Sequence, residues 1–224
     1  MSNPCSGILE LLGMIVGVGA WFCSLAATIM PNWLSLSSEL LALESYERGL
    51  WETCVIQDGA TSECRPFDTM LGLSYNLTVT RICMCMSDAL ALLGLLIAVP
   101  GLKLVRSCEG WWVKRGMKIT AGVMGLTAGG LELYAVSTIA HETVLQFYDH
   151  TLPESMPRWE FGDAIFIGWA AGFFHVVFAV LFFISCCGSE ENEEGKSDGA
   201  YFVYNPEEKF QPVDGSSRKR VEYV

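Results

Sequence analysis

The chain has 224 residues, 51% of them hydrophobic, and a formal net charge of −11 from 14 basic and 25 acidic side chains. This acidic balance argues against nucleic acid as a partner, because phosphate binding requires a basic surface. The high apolar content argues equally against an ordinary soluble globular domain.

Four apolar runs follow one another along the chain: residues 8–30, 79–102, 119–140 and 164–187. Each is long enough to cross a bilayer core, which takes about 20 helical residues. Backbone groups in lipid must form hydrogen bonds within their own segment, so the runs predict four transmembrane helices. The first run is too long for the apolar core of a signal peptide, and no Lys or Arg precedes it, so we interpret it as a retained span.

The distribution of basic residues predicts the orientation of the spans. Segment 103–118 contains five Lys and Arg, and the tail, 188–224, contains another five. Loops 31–78 and 141–163 together contain three, with Arg81 at a membrane boundary. The positive-inside rule therefore places both termini and segment 103–118 in the cytoplasm, and the two other loops outside.

The first outer loop, 31–78, contains signals for β-strands. β-Branched and aromatic residues alternate with polar ones across 51–56, and Asp58-Gly59 follows as a turn, so we expect a small antiparallel sheet. Of nine cysteines, only Cys54 and Cys64 lie in a compartment that is both aqueous and oxidising, so we expect them to form a disulfide between two strands. In the chain-entropy model a bridge of this size contributes roughly 3 kcal/mol. Residues 66–73 are predicted to form a short helix leading back to the membrane.

These features predict a membrane α-helical fold, a left-handed four-helix transmembrane bundle with an extracellular antiparallel β-sheet. We expect one domain over residues 1–187, followed by a disordered tail, 188–224, that is too polar to fold alone. The second outer loop is expected to extend the third helix outward before it turns at two prolines. The Gly13/Gly17 and Gly125/Gly129 pairs have a spacing that lets helices approach closely, which favours packing within the bundle over a dimer motif.

The sequence contains no recognisable catalytic or metal-binding motif. No glycine-rich phosphate loop is present and the three histidines are scattered, so we predict neither an enzyme nor a cofactor. Asp88, Glu132 and His175 lie inside spans, where ionisable residues usually face the bundle interior. We expect some of them to meet as a buried polar cluster with at least one carboxyl protonated. Separate hydrogen bonds to neighbouring helices are the alternative, and a proton-coupled transporter built on these residues is a remote one.

The order of motifs along the chain resembles the claudin signature. Pro31-Asn32-Trp33 is followed by Gly49-Leu50-Trp51, then by Cys54 and Cys64, and Arg81 opens the second span. The similarity continues through Phe147-Tyr148-Asp149, Gly168-Trp169-Ala170-Ala171, Cys186-Cys187 and Tyr223-Val224. The Trp and Cys pattern alone is shared with a wider superfamily that includes peripheral myelin proteins and auxiliary ion-channel subunits. An auxiliary channel subunit is therefore the alternative to a claudin.

The resemblance implies a tight-junction protein of the plasma membrane that polymerises into strands and controls paracellular ion permeability, as a barrier or a charge-selective pore. In claudins the bridged hairpin belongs to an extracellular sheet, and sheets from neighbouring molecules line a pore or seal. By resemblance, Trp33, Gly49, Leu50 and Trp51 anchor this sheet at the membrane surface, which suits tryptophan. The implied partners are other claudins in cis and trans, PDZ scaffold proteins of the zonula occludens type, and membrane lipid.

Arg65 receives the most specific role from the resemblance. The position after the second cysteine helps to set charge selectivity in claudins, and a guanidinium keeps its charge, so we expect anion preference or a cation barrier. A solvated Arg65 paired with Glu63 or Asp68 is the alternative. The same loop also contains four acidic residues that would reverse this selectivity if they line the pore wall. They are Glu47, Glu52, Asp58 and Asp68.

Other positions resemble claudin assembly and modification sites. Met70 resembles the residue that docks onto a neighbour in the same membrane, where Phe147 contributes to the receiving pocket. Phe147, Tyr148 and Trp159 resemble the aromatics that support adhesion between molecules, although they would alternatively cap the bundle.

The chain also carries three candidate cytoplasmic or modification features. Tyr223 and Val224 end the tail as a ligand for a PDZ domain would. Cys186 and Cys187 are candidates for palmitoylation, with unmodified thiols as the alternative. Asn76-Leu77-Thr78 is a glycosylation sequon so close to the second span that we expect it to remain mostly unmodified.

Overall fold

The computed structural model describes residues 4–37, 44–57, 61–67, 74–102, 111–148 and 158–187. Its four helices are α1 (Pro4–Ile29), α2 (Tyr75–Gly101), α3 (Trp111–Phe147) and α4 (Asp163–Cys187). Its five strands are β1 (Leu34–Ser37), β2 (Glu44–Arg48), β3 (Glu52–Gln57), β4 (Thr61–Pro66) and β5 (Glu160–Phe161).

All four helices are long and apolar enough to cross a membrane, which confirms the four predicted spans. Helix α3 is the longest, with 37 residues. At 1.5 Å per residue it measures about 55 Å, well beyond a bilayer core of about 30 Å. One end carries Lys114, Arg115 and Lys118, which the sequence had suggested to be loop residues. That assignment is wrong for Lys118, which is a buried residue of the bundle.

Glycines let the helices approach closely inside the bundle. A Cβ atom on Gly17 of α1 would lie 2.6 Å from Phe178, and one on Gly125 of α3 would lie 2.5 Å from the other side of the same ring. The Phe178 side chain of α4 therefore occupies a space that both glycines leave open. A Cβ atom on Gly129 of α3 would lie 2.8 Å from the carbonyl oxygen of Gly172 on α4. These glycines pack within one molecule, as their spacing predicts.

The strands form one antiparallel sheet at the end of the bundle where α1 ends and α2 begins, in the order β4-β3-β2-β1-β5. Cys54 of β3 pairs directly with Cys64 of β4, and the two sulfurs form the predicted disulfide. The sequence did not predict β5, which comes from the loop before α4 and pairs Phe161 with Leu34 of β1. The two loops between spans thus contribute to the same sheet.

Two predicted elements lie partly outside the described residues. The Asp58-Gly59 turn falls between β3 and β4, in the undescribed residues 58–60. Pro66, the predicted start of a short helix, is instead the last residue of β4, and residues 68–73 lie outside the description. The tail, 188–224, also lies outside it.

Short backbone contacts fix the sheet to the bundle. The amide of Gly162 donates to the carbonyl of Trp33 (2.8 Å), and the amide of Ala164 donates to the carbonyl of Asn32 (3.0 Å). The start of α4 is therefore bonded to the segment that leads from α1 into β1. Beneath this junction lies an apolar core that includes Trp33, Leu50 and Val136.

Candidate functional site

Two tryptophans of the family signature form hydrogen bonds with the last carbonyl groups of α1. The indole N–H of Trp33 donates to the carbonyl of Ala27 and that of Trp51 donates to the carbonyl of Thr28, each at 2.8 Å. The last carbonyls of a helix have no partner within the helix, so these side chains satisfy groups that would otherwise need water. Because Trp33 precedes β1 and Trp51 precedes β3, both strands are held against the bundle.

Gly49 and Leu50 make the closest approach between the sheet and the bundle. A Cβ atom on Gly49 would lie 2.6 Å from the Cα atom of Pro31, a distance that real Cβ atoms do not reach. Leu50 beside it is 1% exposed and belongs to the apolar core. Glycine is needed at position 49 because backbone meets backbone there.

Arg81 joins α2 to the underside of the sheet. Its Nε donates to the carbonyl of Leu50 at 2.5 Å, and its guanidinium lies 5.1 Å from the ring of Trp51 and 5.2 Å from that of Phe67. Only 6% of the residue is exposed. A planar cation suits a site between two aromatic faces, and lysine would lose both the stacking and the fixed donor geometry. The signature residues therefore form one connected anchor for the sheet.

The register of the sheet separates Arg65 from the neighbouring carboxylates. Arg65 of β4 pairs with Thr53 of β3, and Thr53 pairs with Arg48 of β2, so these three side chains share a face. Glu47 pairs with Cys54 and therefore points to the opposite face, because successive side chains alternate. Glu52, two residues before Cys54, shares the face of Glu47.

Arg65 is exposed and, within the described strands, has one acidic neighbour on its own face. Glu63 lies two residues earlier on β4, about 7 Å away along the strand, and is also exposed. Among the residues described, Arg65 forms no ion pair with Glu63. Asp68, the other predicted partner, lies outside the described residues.

An apolar cavity of about 310 Å³ lies between α3 and β5. It is lined by Thr143, Val144, Phe147, Tyr148, Trp159, Glu160 and Phe161. Arg158 donates to the carbonyl of Phe147, and its guanidinium lies 5.4 Å from the Phe147 ring. The structure thus brings the three predicted aromatics of the second outer loop together around one cavity. Met70, their predicted counterpart, lies outside the described residues.

The three predicted intramembrane residues face the interior of the bundle. Asp88 of α2 accepts hydrogen bonds from Ser24 (2.7 Å) and Thr28 (2.9 Å), both on α1. Glu132 of α3 is completely buried, and its Oε2 lies 3.7 Å from Nε2 of His175 on α4. Each of the four helices therefore contributes a polar side chain to this part of the core.

A second buried polar cluster was missed by sequence reasoning. Lys118 of α3 donates to Oε1 of Glu10 on α1 at 2.5 Å, and the hydroxyl of Ser185 on α4 donates to the same oxygen at 2.9 Å. Glu10 is 2% exposed and Lys118 4% exposed. The sequence feature that could have indicated this cluster is Glu10, the single charged residue of the first apolar run.

The remaining predicted sites lie near or beyond the end of α4. Cys186 is 6% exposed, while the side chain of Cys187 lies outside the described part of the chain. Tyr223 and Val224 are outside it as well.

Comparison with known proteins identifies the family. Residues 7–182 match the model of the PMP-22/EMP/MP20/Claudin family. Claudin-7 of Mus musculus is 31% identical over 207 residues, which cover 90% of this chain and 97% of the relative. Claudin-9 of Homo sapiens is 34% identical over 73% of this chain and 76% of its own length.

A third relative, claudin-1 of Mus musculus, is 32% identical over 80% of this chain and 86% of its own length. Family membership places the chain among structural junction proteins and not among enzymes. The predicted resemblance is thereby confirmed, and the chain belongs to the PMP-22/EMP/MP20/Claudin family, within it to the claudins.

Proposed function

We propose that this protein is a tight-junction claudin that polymerises into strands and controls the paracellular passage of small ions, with an anion preference or a cation barrier set by Arg65. The observation that carries the proposal is the position of Arg65. It is an exposed guanidinium on β4, the edge strand of a sheet that is fixed to a membrane bundle.

The electrostatic argument rests on distance and on the two faces of the sheet. Arg48 and Arg65 share a face and are separated by two strand spacings, about 10 Å. Glu47 and Glu52 belong to the opposite face, whereas Glu63, about 7 Å from Arg65 on the same face, is the described carboxylate that offsets part of its charge. Fixed charge within a Debye length of about 8 Å dominates at physiological salt. Fixed positive charge at a constriction attracts anions and repels cations.

Assembly is proposed to use the two edges of the sheet. Within the described part of the chain, β4 lies at an edge of the sheet, and the backbone groups of an edge strand favour pairing with another chain. At the opposite edge, the cavity around Phe147, Tyr148 and Trp159 would receive an apolar side chain of a neighbour, for which Met70 is the proposed donor. Asp68 is proposed to lie close enough to Arg65 to modulate the charge at the pore.

The proposed orientation puts the sheet outside the cell and both termini in the cytoplasm. The tail, 188–224, would then reach scaffold proteins of the zonula occludens type, with Tyr223 and Val224 in a PDZ groove. Palmitoylation is proposed for the Cys186-Cys187 pair. Because Cys186 is buried, Cys187 is the favoured position of the two.

The central experiment measures dilution potentials across epithelial monolayers that express the wild type, Arg65→Asp or Glu47→Gln. We expect an anion-preferring or cation-blocking signal in the wild type and its reversal in Arg65→Asp. Glu47→Gln, on the opposite face, should leave the sign unchanged. If Arg65→Asp changes nothing while strands still form at cell contacts, Arg65 does not face the ion path. Strand formation in fibroblasts that lack tight junctions tests the assembly step separately.

A further inference from the structure

The carboxylate of Asp88 on α2 holds two hydroxyl groups of α1, a contact that the proposed function does not use. Its Oδ1 accepts from the hydroxyl of Ser24 at 2.7 Å, and its Oδ2 accepts from the hydroxyl of Thr28 at 2.9 Å. Ser24 and Thr28 are four residues apart, so they lie about one turn apart on the same face of α1. Two contacts one turn apart restrain α1 both from rotating about its axis and from sliding along α2.

The hydroxyls of α1 behave differently from those of α3. A hydroxyl in an apolar helix can donate to the carbonyl of the residue four positions earlier in the same helix. Thr120, Thr138 and Thr143 of α3 all form this bond, at 2.8 to 2.9 Å. Ser24 and Thr28 donate to another helix instead. The Asp88 carboxylate is therefore the group that orients them.

Thr28 also carries an attachment of the sheet. Its backbone carbonyl accepts a hydrogen bond from the indole N–H of Trp51 at 2.8 Å, and Trp51 directly precedes β3. Thr28 is only 5% exposed. The side chain and the backbone of this one buried residue thus connect Asp88 to the sheet. A displacement of Thr28 would move the acceptor of the Trp51 indole with it.

Helix α2 completes a closed ring of contacts. Arg81 and Asp88 are seven residues apart, which places them on the same face of α2 about 10 Å from each other. The Arg81 guanidinium lies 5.1 Å from the ring of Trp51. The ring of contacts therefore runs from Asp88 through Thr28 to Trp51 and returns to α2 through this guanidinium. Contacts in one network are energetically coupled, so opening the ring at Asp88 would loosen the attachment of Trp51.

The residue beside Asp88 makes a comparable contact outside the ring. The hydroxyl of Ser87 donates to the carbonyl of Ala128 on α3 at 2.8 Å, and Ser87 is completely buried. This bond joins α2 to α3 and not to the helix that holds the sheet. Ser87 and Asp88 therefore form a matched pair, in which one residue belongs to the ring and the other does not.

We propose that Asp88 is a positioning residue for the sheet: by holding the last turn of α1 against α2, it sets where Trp51 attaches the sheet to the bundle. The tilt of the sheet relative to the membrane helices then depends on a carboxylate inside the bundle. This inference does not depend on ion selectivity or on strand formation.

The test follows the seven tryptophans of the full-length protein by fluorine NMR, after labelling with fluorotryptophan and reconstitution in nanodiscs. Each resonance is assigned by its loss in the corresponding Trp→Phe variant. Asp88→Leu removes both acceptor oxygens and should shift the Trp51 resonance. Thr28→Val removes the hydroxyl, keeps the shape of the side chain and should shift the same resonance. The double variant should show little further shift, because both changes open the ring at the same contact.

Two further observations separate a tilt of the sheet from a local change. Trp159 directly precedes β5, so its resonance should shift together with that of Trp51 if the sheet moves as a unit. Asp88→Asn and Thr28→Ser keep hydrogen-bonding groups at the contact and should retain the wild-type resonances. If Asp88→Leu does not fold, the comparison of Thr28→Val with Thr28→Ser decides the question.

Ser87→Ala is the control for a general loss of stability, which lowers the unfolding temperature without moving the resonances of the folded state. An unchanged Trp51 resonance in folded Asp88→Leu would overturn the proposal, as would a shift of equal size in Ser87→Ala. A shift of Trp51 with Trp159 unmoved would also overturn it, because the sheet would then have kept its tilt.

Discussion

The buried pair of Glu10 and Lys118 predicts a large and non-additive effect on stability. Replacing Lys118 with Met leaves a carboxylate that is 2% exposed without its ammonium partner, although the hydroxyl of Ser185 still donates to it. Replacing Glu10 with Leu leaves an ammonium that is 4% exposed without its 2.5 Å acceptor. Breaking a buried pair by removing one partner costs about 3–5 kcal/mol, because the remaining charge stays desolvated.

The double variant is expected to behave differently. Glu10→Leu with Lys118→Met removes both charges and replaces them with apolar side chains of similar length. Such replacements are usually neutral or stabilising, since the desolvation cost of both ions disappears. We therefore expect the free energy of unfolding of the double variant to lie within about 1 kcal/mol of the wild type, with a coupling energy above about 3 kcal/mol.

The assay is reversible unfolding in mixed micelles, followed by tryptophan fluorescence, for the wild type, both single variants and the double variant. Ser185→Ala should cost about 1–2 kcal/mol, because one hydrogen bond to a charged group is lost. Glu63→Gln, on an exposed strand, serves as the control for removal of one carboxylate. Single and double variants whose costs simply add would refute the reasoning, since they would show that each charge is solvated independently.

Three further predictions concern the anchor and the bundle. Gly49→Ala should destabilise the protein by about 1–3 kcal/mol in the same unfolding assay, because its Cβ atom would meet Pro31 at 2.6 Å. Gly130→Ala, which meets nothing within 4 Å, is its control, and equal costs for the two variants would count against the backbone contact. Asp88→Leu should lower the free energy of unfolding by about 2–4 kcal/mol, because two hydrogen bonds to a carboxylate are lost. Glu132→Gln should lower it by less than about 1 kcal/mol. The reverse order would mean that Glu132 is ionised and held by His175. Asn76→Gln should leave the electrophoretic mobility of protein from mammalian cells unchanged, because the side-chain amide of Asn76 is hydrogen-bonded to Glu142 close to the membrane. A shift of the variant to lower apparent mass would show that the sequon of the wild type is glycosylated.

The sequence by itself determined the features that depend on local composition. Four long apolar runs specify four spans, because a bilayer core leaves few alternatives to an apolar helix of about 20 residues. The pairing of Cys54 with Cys64 followed from the compartment in which each cysteine lies, and the structure contains that disulfide. The signature residues identified the family because their order along the chain is specific.

The tertiary structure decided which distant residues meet. Glu10 and Lys118 are 108 residues apart, and a basic residue near a loop resembles any other loop charge until α1 and α3 are packed together. Strand β5 has two residues and forms only because β1 offers a free edge beside it. The separation of Arg65 from Glu47 and Glu52 depends on register, since a shift of one residue would bring them to the same face. Composition specifies the membrane helices, whereas packing and register place the charges, because side-chain direction is fixed only once neighbouring elements are paired.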